Sequence, residues 1–104
     1  MKHILIKYRF KSGSRDEWHR EIERFISALD NDPELSGKIS YRSTRGKEGD
    51  DYYHFVEVVD DQAVKTLQER DFFSSYTEKC ERVAGGEVEV LPLEIIAETK
   101  ADIT

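Results

Sequence analysis

Cysteine occurs once, at Cys80, so no intrachain disulfide can form and a reducing, cytoplasmic setting is the expectation. Proline is confined to Pro33 and Pro92, and no repeat, linker or low-complexity stretch divides the chain. No apolar run reaches the length of a membrane span, and the opening MKHILIKYRF is too short and too charged to read as a secretory signal. Basic residues are not clustered: 16 Lys and Arg are spread among 22 Asp and Glu, for a net charge of −6. Phosphate backbones call for a concentrated basic surface, so nucleic acid is not an expected partner. A Ser-His-Asp order and a phosphate-cradling glycine loop are both missing, which leaves hydrolase and nucleotide-binding readings without support. The three histidines, His3, His19 and His54, fall on different expected elements, and no Cys or His pair has ligand spacing. Neither a metal nor a flavin or nicotinamide cofactor is expected.

What the chain does have is periodicity. Its length suits one domain, residues 1–104, able to bury roughly two-thirds of its unfolded surface. His3 to Phe10 alternates, with Ile4, Ile6, Tyr8 and Phe10 on one face of an expected strand. After Lys11-Ser12-Gly13, the run Ser14 to Glu17 reads as a capping box. The helix it opens carries Trp18, Ile22, Phe25, Ile26 and Leu29 on one stripe and stops before Pro33. Strands are expected over Ile39–Arg45 and Tyr52–Val59, joined by a glycine- and charge-rich hairpin loop. In the second of these, His54 and Val56 face opposite to Tyr53 and Phe55.

The stretch from Asp60 to Ala97 organises the rest. Asp60-Asp61 caps a helix bearing Ala63 and Leu67, and Asp71 restarts it with Phe72, Phe73, Tyr76, Cys80 and Val83 at helical spacing. Gly85-Gly86 stops that helix. Glu87 to Thr99 then reads as one long strand, about twice the usual length, with Val88 and Val90 on one face and Leu91, Leu93 and Ile95 on the other. Both faces are apolar, so a two-fold homodimer is expected to cover the second. The order β-α-β-β-α-β, with its second helix broken, predicts an α+β, ferredoxin-like antiparallel sheet with helices on one face.

Phe55-x-Glu57 running into Asp60-x-x-Ala63, then Phe73, then Gly85-Gly86 before the final strand, resembles the antibiotic biosynthesis monooxygenase (ABM) group of the dimeric α/β-barrel superfamily. The resemblance covers nearly the whole length. It implies a homodimer whose two sheets form one barrel, with a ligand pocket between sheet and helices in each subunit. It also implies a range of activities: cofactor-free oxygenases of quinol- or anthrone-like aromatics, haem-degrading enzymes, and small proteins without a known reaction. Two positions depart from the pattern. Leu67 stands where many relatives carry histidine, and Thr77 stands where the haem-degrading branch carries its iron ligand.

His54 and Tyr76 are the candidate catalytic residues, an imidazole that titrates near neutrality and a phenol able to hold a substrate oxygen. Tyr8, Arg42, Tyr53 and Phe73 are the candidate substrate-binding residues, supplying aromatic stacking and one cationic group. Tyr41 belongs to the same aromatic set, Trp18 and Cys80 read as core, and Glu57 reads as a buried acid paired with Arg9 or Arg42. Three functions stay open: a cofactor-independent monooxygenase of a small aromatic, a non-oxidative isomerase, and a ligand-binding or stress-associated dimer without catalysis.

Overall fold

The computed structural model describes residues 1–103, so Thr104, the last residue of the expected domain, lies outside the described residues. The elements are β1 (Lys2–Arg9), α1 (Arg15–Asn31), β2 (Ile39–Arg45), β3 (Asp51–Val58), α2 (Asp61–Gln68), α3 (Asp71–Val83) and β4 (Val88–Leu93). The strands form one antiparallel sheet in the order β2-β3-β1-β4. The helices lie on one face of it. This is the expected ferredoxin-like α+β arrangement.

α1 and α2 begin where side-chain chemistry satisfies an orphan amide. Ser14 Oγ accepts from the Glu17 amide and Asp60 Oδ1 accepts from the Ala63 amide at 2.9 Å. The α2–α3 corner has no side-chain cap; Arg70 instead forks onto the loop after α1, reaching Asp32 and Glu34. α3 ends in a Schellman turn: the Gly86 amide donates to the Glu81 carbonyl at 2.8 Å, and the Gly85 amide to that of Arg82. Both glycines have positive φ, and a Cβ on Gly85 would sit 3.0 Å from the Lys11 side chain.

The amphipathic stripe of α1 packs Trp18, Ile22, Phe25 and Leu29 against the sheet and α3, all buried. The Phe25 ring stacks on Tyr76 at 3.9 Å between centroids. Truncating Phe25 to alanine would remove that stack and leave a void, at a cost of about 3–5 kcal/mol.

Two sequence expectations are corrected here. The final strand stops at Leu93 rather than Thr99. Leu93 pairs with His3 and β1 begins at Lys2, so the chain beyond has no strand to bond to within the subunit. Glu57 is exposed rather than buried. It lies opposite His3 and Ser40, and forms no ion pair with Arg9 or Arg42 among the described residues.

Strand parity divides the sheet into two chemically different faces. One row on the helix side reads Ser43–His54–Ile6–Val90, and its neighbour on the outer side reads Arg42–Phe55–Leu5–Leu91. On the outer side Phe55 and Leu93 are each 47% exposed.

Candidate functional site

His54 projects from the middle of β3 toward the helices and is completely buried. A buried imidazole needs partners for both nitrogens. The Tyr8 hydroxyl lies 2.9 Å from Nε2, and the Tyr41 hydroxyl lies 2.5 Å from Nδ1. The network extends at both ends: Trp18 Nε1 donates to the Tyr8 oxygen at 2.8 Å, and the Tyr41 and Tyr76 hydroxyls are 2.9 Å apart. These residues come from β1, α1, β2, β3 and α3, so the network spans the domain's core rather than decorating one element.

Burial sets the protonation of every member. It lowers the His54 pKa to about 4, leaving the imidazole neutral at pH 7. Burial likewise raises the phenols of Tyr8, Tyr41 and Tyr76 well above their ordinary value, so all three are donors rather than phenolates. The Cys80 thiol is pushed up to about 12 by burial and is not a nucleophile at neutral pH.

Beside the network is a cavity of about 320 Å³ between the sheet and α2–α3. Ile4, Val56, Val58 and Val90 supply its sheet side, and Val64, Leu67 and Phe73 its helix side, with Tyr41 and Tyr76 in the wall. That volume is at the small end for ligand cavities. A wider hollow of about 570 Å³ lies at the Arg9–Asp51 end of the sheet, but it is open and ringed by charges of both signs, including Lys7 and Glu89. The smaller cavity, with an apolar wall and convergent phenols, is the candidate site.

With this geometry, the chain superposes on a crystal structure of an antibiotic biosynthesis monooxygenase with a TM-score of 0.76 at 10% identity, covering 93% of this chain and 100% of the other. A variant of SnoaB, a cofactor-independent oxygenase from Streptomyces nogalater, gives 0.74 at 11% identity over 96% of this chain and 98% of the other. A Mycobacterium tuberculosis protein gives 0.75 at 12% identity over 95% and 98%. The chain has the ABM fold. At these identities the likeness is one of fold. No protein-family model matches the sequence, and comparison with curated proteins gives no match.

Within the ABM fold the sequence-derived candidates separate. Tyr8, His54 and Tyr76 come together in one network, and Phe73 borders the cavity. His54 and Tyr8 do not border it; Tyr41 and Tyr76 stand between them and the open space. Arg42 and Tyr53 are on the outer face, Tyr53 opposite Thr44 and Lys7, and Arg42 opposite Phe55. Leu67 and Thr77, where the ABM resemblance led us to expect histidines in some relatives, both line the cavity. The three histidines do not converge, and among the described residues no three His, Cys, Asp or Glu side chains are grouped as a metal site requires.

Trp18 has a role beyond the packing that its place on the α1 stripe implies. It does pack, stacking on Tyr76 at 5.4 Å, yet its indole N–H is also the terminal donor of the network. The signal was present, because a buried tryptophan must place its N–H on an acceptor.

Proposed function

We propose that this chain is a cofactor-independent monooxygenase of a small aromatic, quinol- or anthrone-like, working as a homodimer in which each subunit keeps its own cavity. The observation that carries the reading is the apolar cavity lined by Tyr41 and Tyr76, whose hydroxyls pair with each other and are backed by neutral His54. Apolar walls orient a planar aromatic and exclude water. The substrate is acidic enough to give its proton to water before it is enclosed, and the phenols then hydrogen-bond the substrate oxygen on which the negative charge gathers. The ionised aromatic is itself the reductant and reacts with dioxygen. His54 and Tyr76 act in charge stabilisation, Phe73 contributes to the binding wall, and Tyr8 holds His54 from behind. Arg42 and Tyr53, on the outer face, belong in this reading to the subunit interface.

One observation favours a second reading, a ligand-binding protein without turnover: His54 is screened from the cavity and holds a proton poorly. The same observation weakens the isomerase reading, which needs a proton carrier meeting the substrate. The test is oxygen consumption by metal-stripped protein with an anthrone or a quinol. Tyr76→Phe should slow it about 100-fold, the scale for losing one oxyanion donor, and His54→Ala should also reduce it, both with assembly unchanged. A panel of such substrates with no rate above buffer would leave the binding role ahead.

A further inference from the structure

The buried network contains five N–H or O–H donors, on Trp18, Tyr8, neutral His54, Tyr41 and Tyr76, joined through four consecutive contacts; the Tyr76 hydroxyl also lies 3.4 Å from His54 Nδ1, a nitrogen that Tyr41 already meets and that has a single hydrogen or lone pair to share. One proton is therefore left over, and where it lies decides what the cavity offers a ligand. Trp18 resolves the question because an indole N–H can only donate. The Tyr8 oxygen accepts from it, and the only other partner of the Tyr8 hydroxyl among the described residues is His54 Nε2. Tyr8 must then donate to Nε2, since the opposite tautomer would strand the Tyr8 proton in a residue that is 95% covered, with 5% exposure. With Nε2 accepting, Nδ1 carries the imidazole proton and donates to Tyr41. Between Tyr41 and Tyr76 one hydroxyl donates to the other, and the surplus proton remains on this pair, at the cavity wall.

We propose that Trp18 is a positioning residue that fixes the hydrogen-bond polarity of the cavity, so that the wall presents a proton donor and selects a ligand bearing an acceptor oxygen of carbonyl type. This rests on reading the cavity as the ligand site and deepens it: an anthrone-like ketone fits the donor wall, whereas a quinol accepts on its hydroxyl oxygen but must also find an acceptor for its own O–H, which the apolar wall does not offer. Trp18 touches no ligand. It acts through Tyr8, His54 and Tyr41 in turn.

The first measurement needs no variant. In ¹⁵N-histidine-labelled protein at neutral pH, with His54 assigned by comparison with a His3→Gln/His19→Gln protein, long-range ¹⁵N–¹H spectra should show the Nδ1–H tautomer. An Nε2–H tautomer overturns the proposal. In folded Trp18→Phe the constraint on Tyr8 is gone and the tautomer should become mixed; an unchanged Nδ1–H signature overturns the role given to Trp18.

The second measurement uses three tricycles of similar shape: 9-fluorenone, which only accepts, carbazole, which only donates, and fluorene, which does neither. By equilibrium dialysis fluorenone should bind about tenfold tighter than carbazole, with fluorene between them. The gap should shrink in Trp18→Phe. Equal or tighter binding of carbazole to the unmodified protein, or no binding of any tricycle, overturns the ligand assignment. Failure of the oxygenase reading looks different: no oxygen is consumed, while tautomer and ligand order stand as expected.

Discussion

Arg70 and Asp32 form a two-pronged ion pair, with Arg70 Nε donating to Asp32 Oδ2 at 2.8 Å and Nη2 to Oδ1 at 3.3 Å. It fastens the α2–α3 corner, which lacks a side-chain cap, to the loop between α1 and β2. The hydrogen bond from Arg70 holds the Asp32 carboxyl below its ordinary 3.8. Its contribution to stability is therefore complete above that value and is lost as pH falls through the lowered one. Arg70→Gln should lower the melting temperature at pH 7. The difference from the unmodified protein should close under strongly acidic conditions, as followed by circular dichroism; a difference independent of pH would contradict this account.

His54 sets a separate pH window. Burial takes its pKa from 6.5 to about 4, so between those values the unfolded chain binds a proton that the folded chain does not. Stability rises with pH across that interval, is complete above 6.5, and flattens below about 4. The residue's share of the change is up to about 3 kcal/mol. Urea unfolding at pH 7.5, 5.5 and 4.5 should show a smaller pH slope in His54→Gln than in the unmodified protein, even though the variant is less stable throughout. Equal slopes would place the titration elsewhere.

The outer face of the sheet is expected to close against a second copy of the chain, burying more than ~1,000 Å² in total. Phe55, Leu5 and Leu91 form a continuous apolar row there, with Leu93 in the adjoining one. Sedimentation should show a dimer at micromolar concentration. Phe55→Asp and Leu93→Asp should each weaken association at least about tenfold by burying an unpaired charge in an apolar interface. A monomer in the unmodified protein would refute the dimer.

Haem should not form a tight histidine-ligated complex. Thr77, the position matched to an iron ligand in the haem-degrading relatives, faces the cavity and uses its hydroxyl on the Ser74 carbonyl at 3.0 Å. His54 is held on both nitrogens. A titration with haem is expected to give no stoichiometric Soret shift, and a sharp one would refute this, with His54 the first substitution to try.

The fold was legible because strand alternation and helix stripes, from Ile4-Ile6-Tyr8 to Trp18-Ile22-Phe25, report burial directly. The length of β4 was not. A strand's end is set by its neighbour, and the β1 register that halts pairing at Leu93 leaves no mark on residues 94–99. His54 and Tyr76 could be singled out as polar groups amid apolar ones. Grouping Tyr53 with His54 in one site conflicted with parity, since adjacent strand residues face opposite sides, and the structure separates them accordingly. The direction of proton donation along Trp18, Tyr8 and His54 depends on residues brought together from three elements, which no local pattern encodes.

The strand order also governs how the chain assembles in time. β1 is the first strand synthesised, yet its two neighbours, β3 and β4, are both distant in sequence, and only β2 and β3 are joined by a short loop. The β2–β3 hairpin is thus the one part of the sheet with a small loop-closure cost, and β4 closes the largest loop. Stopped-flow experiments are expected to show Val56→Ala slowing folding and Val88→Ala chiefly speeding unfolding. Until β4 docks, one whole edge of β1 stands open, and the Gly85-Gly86 turn that aims β4 back at it becomes a determinant of how long that edge is exposed.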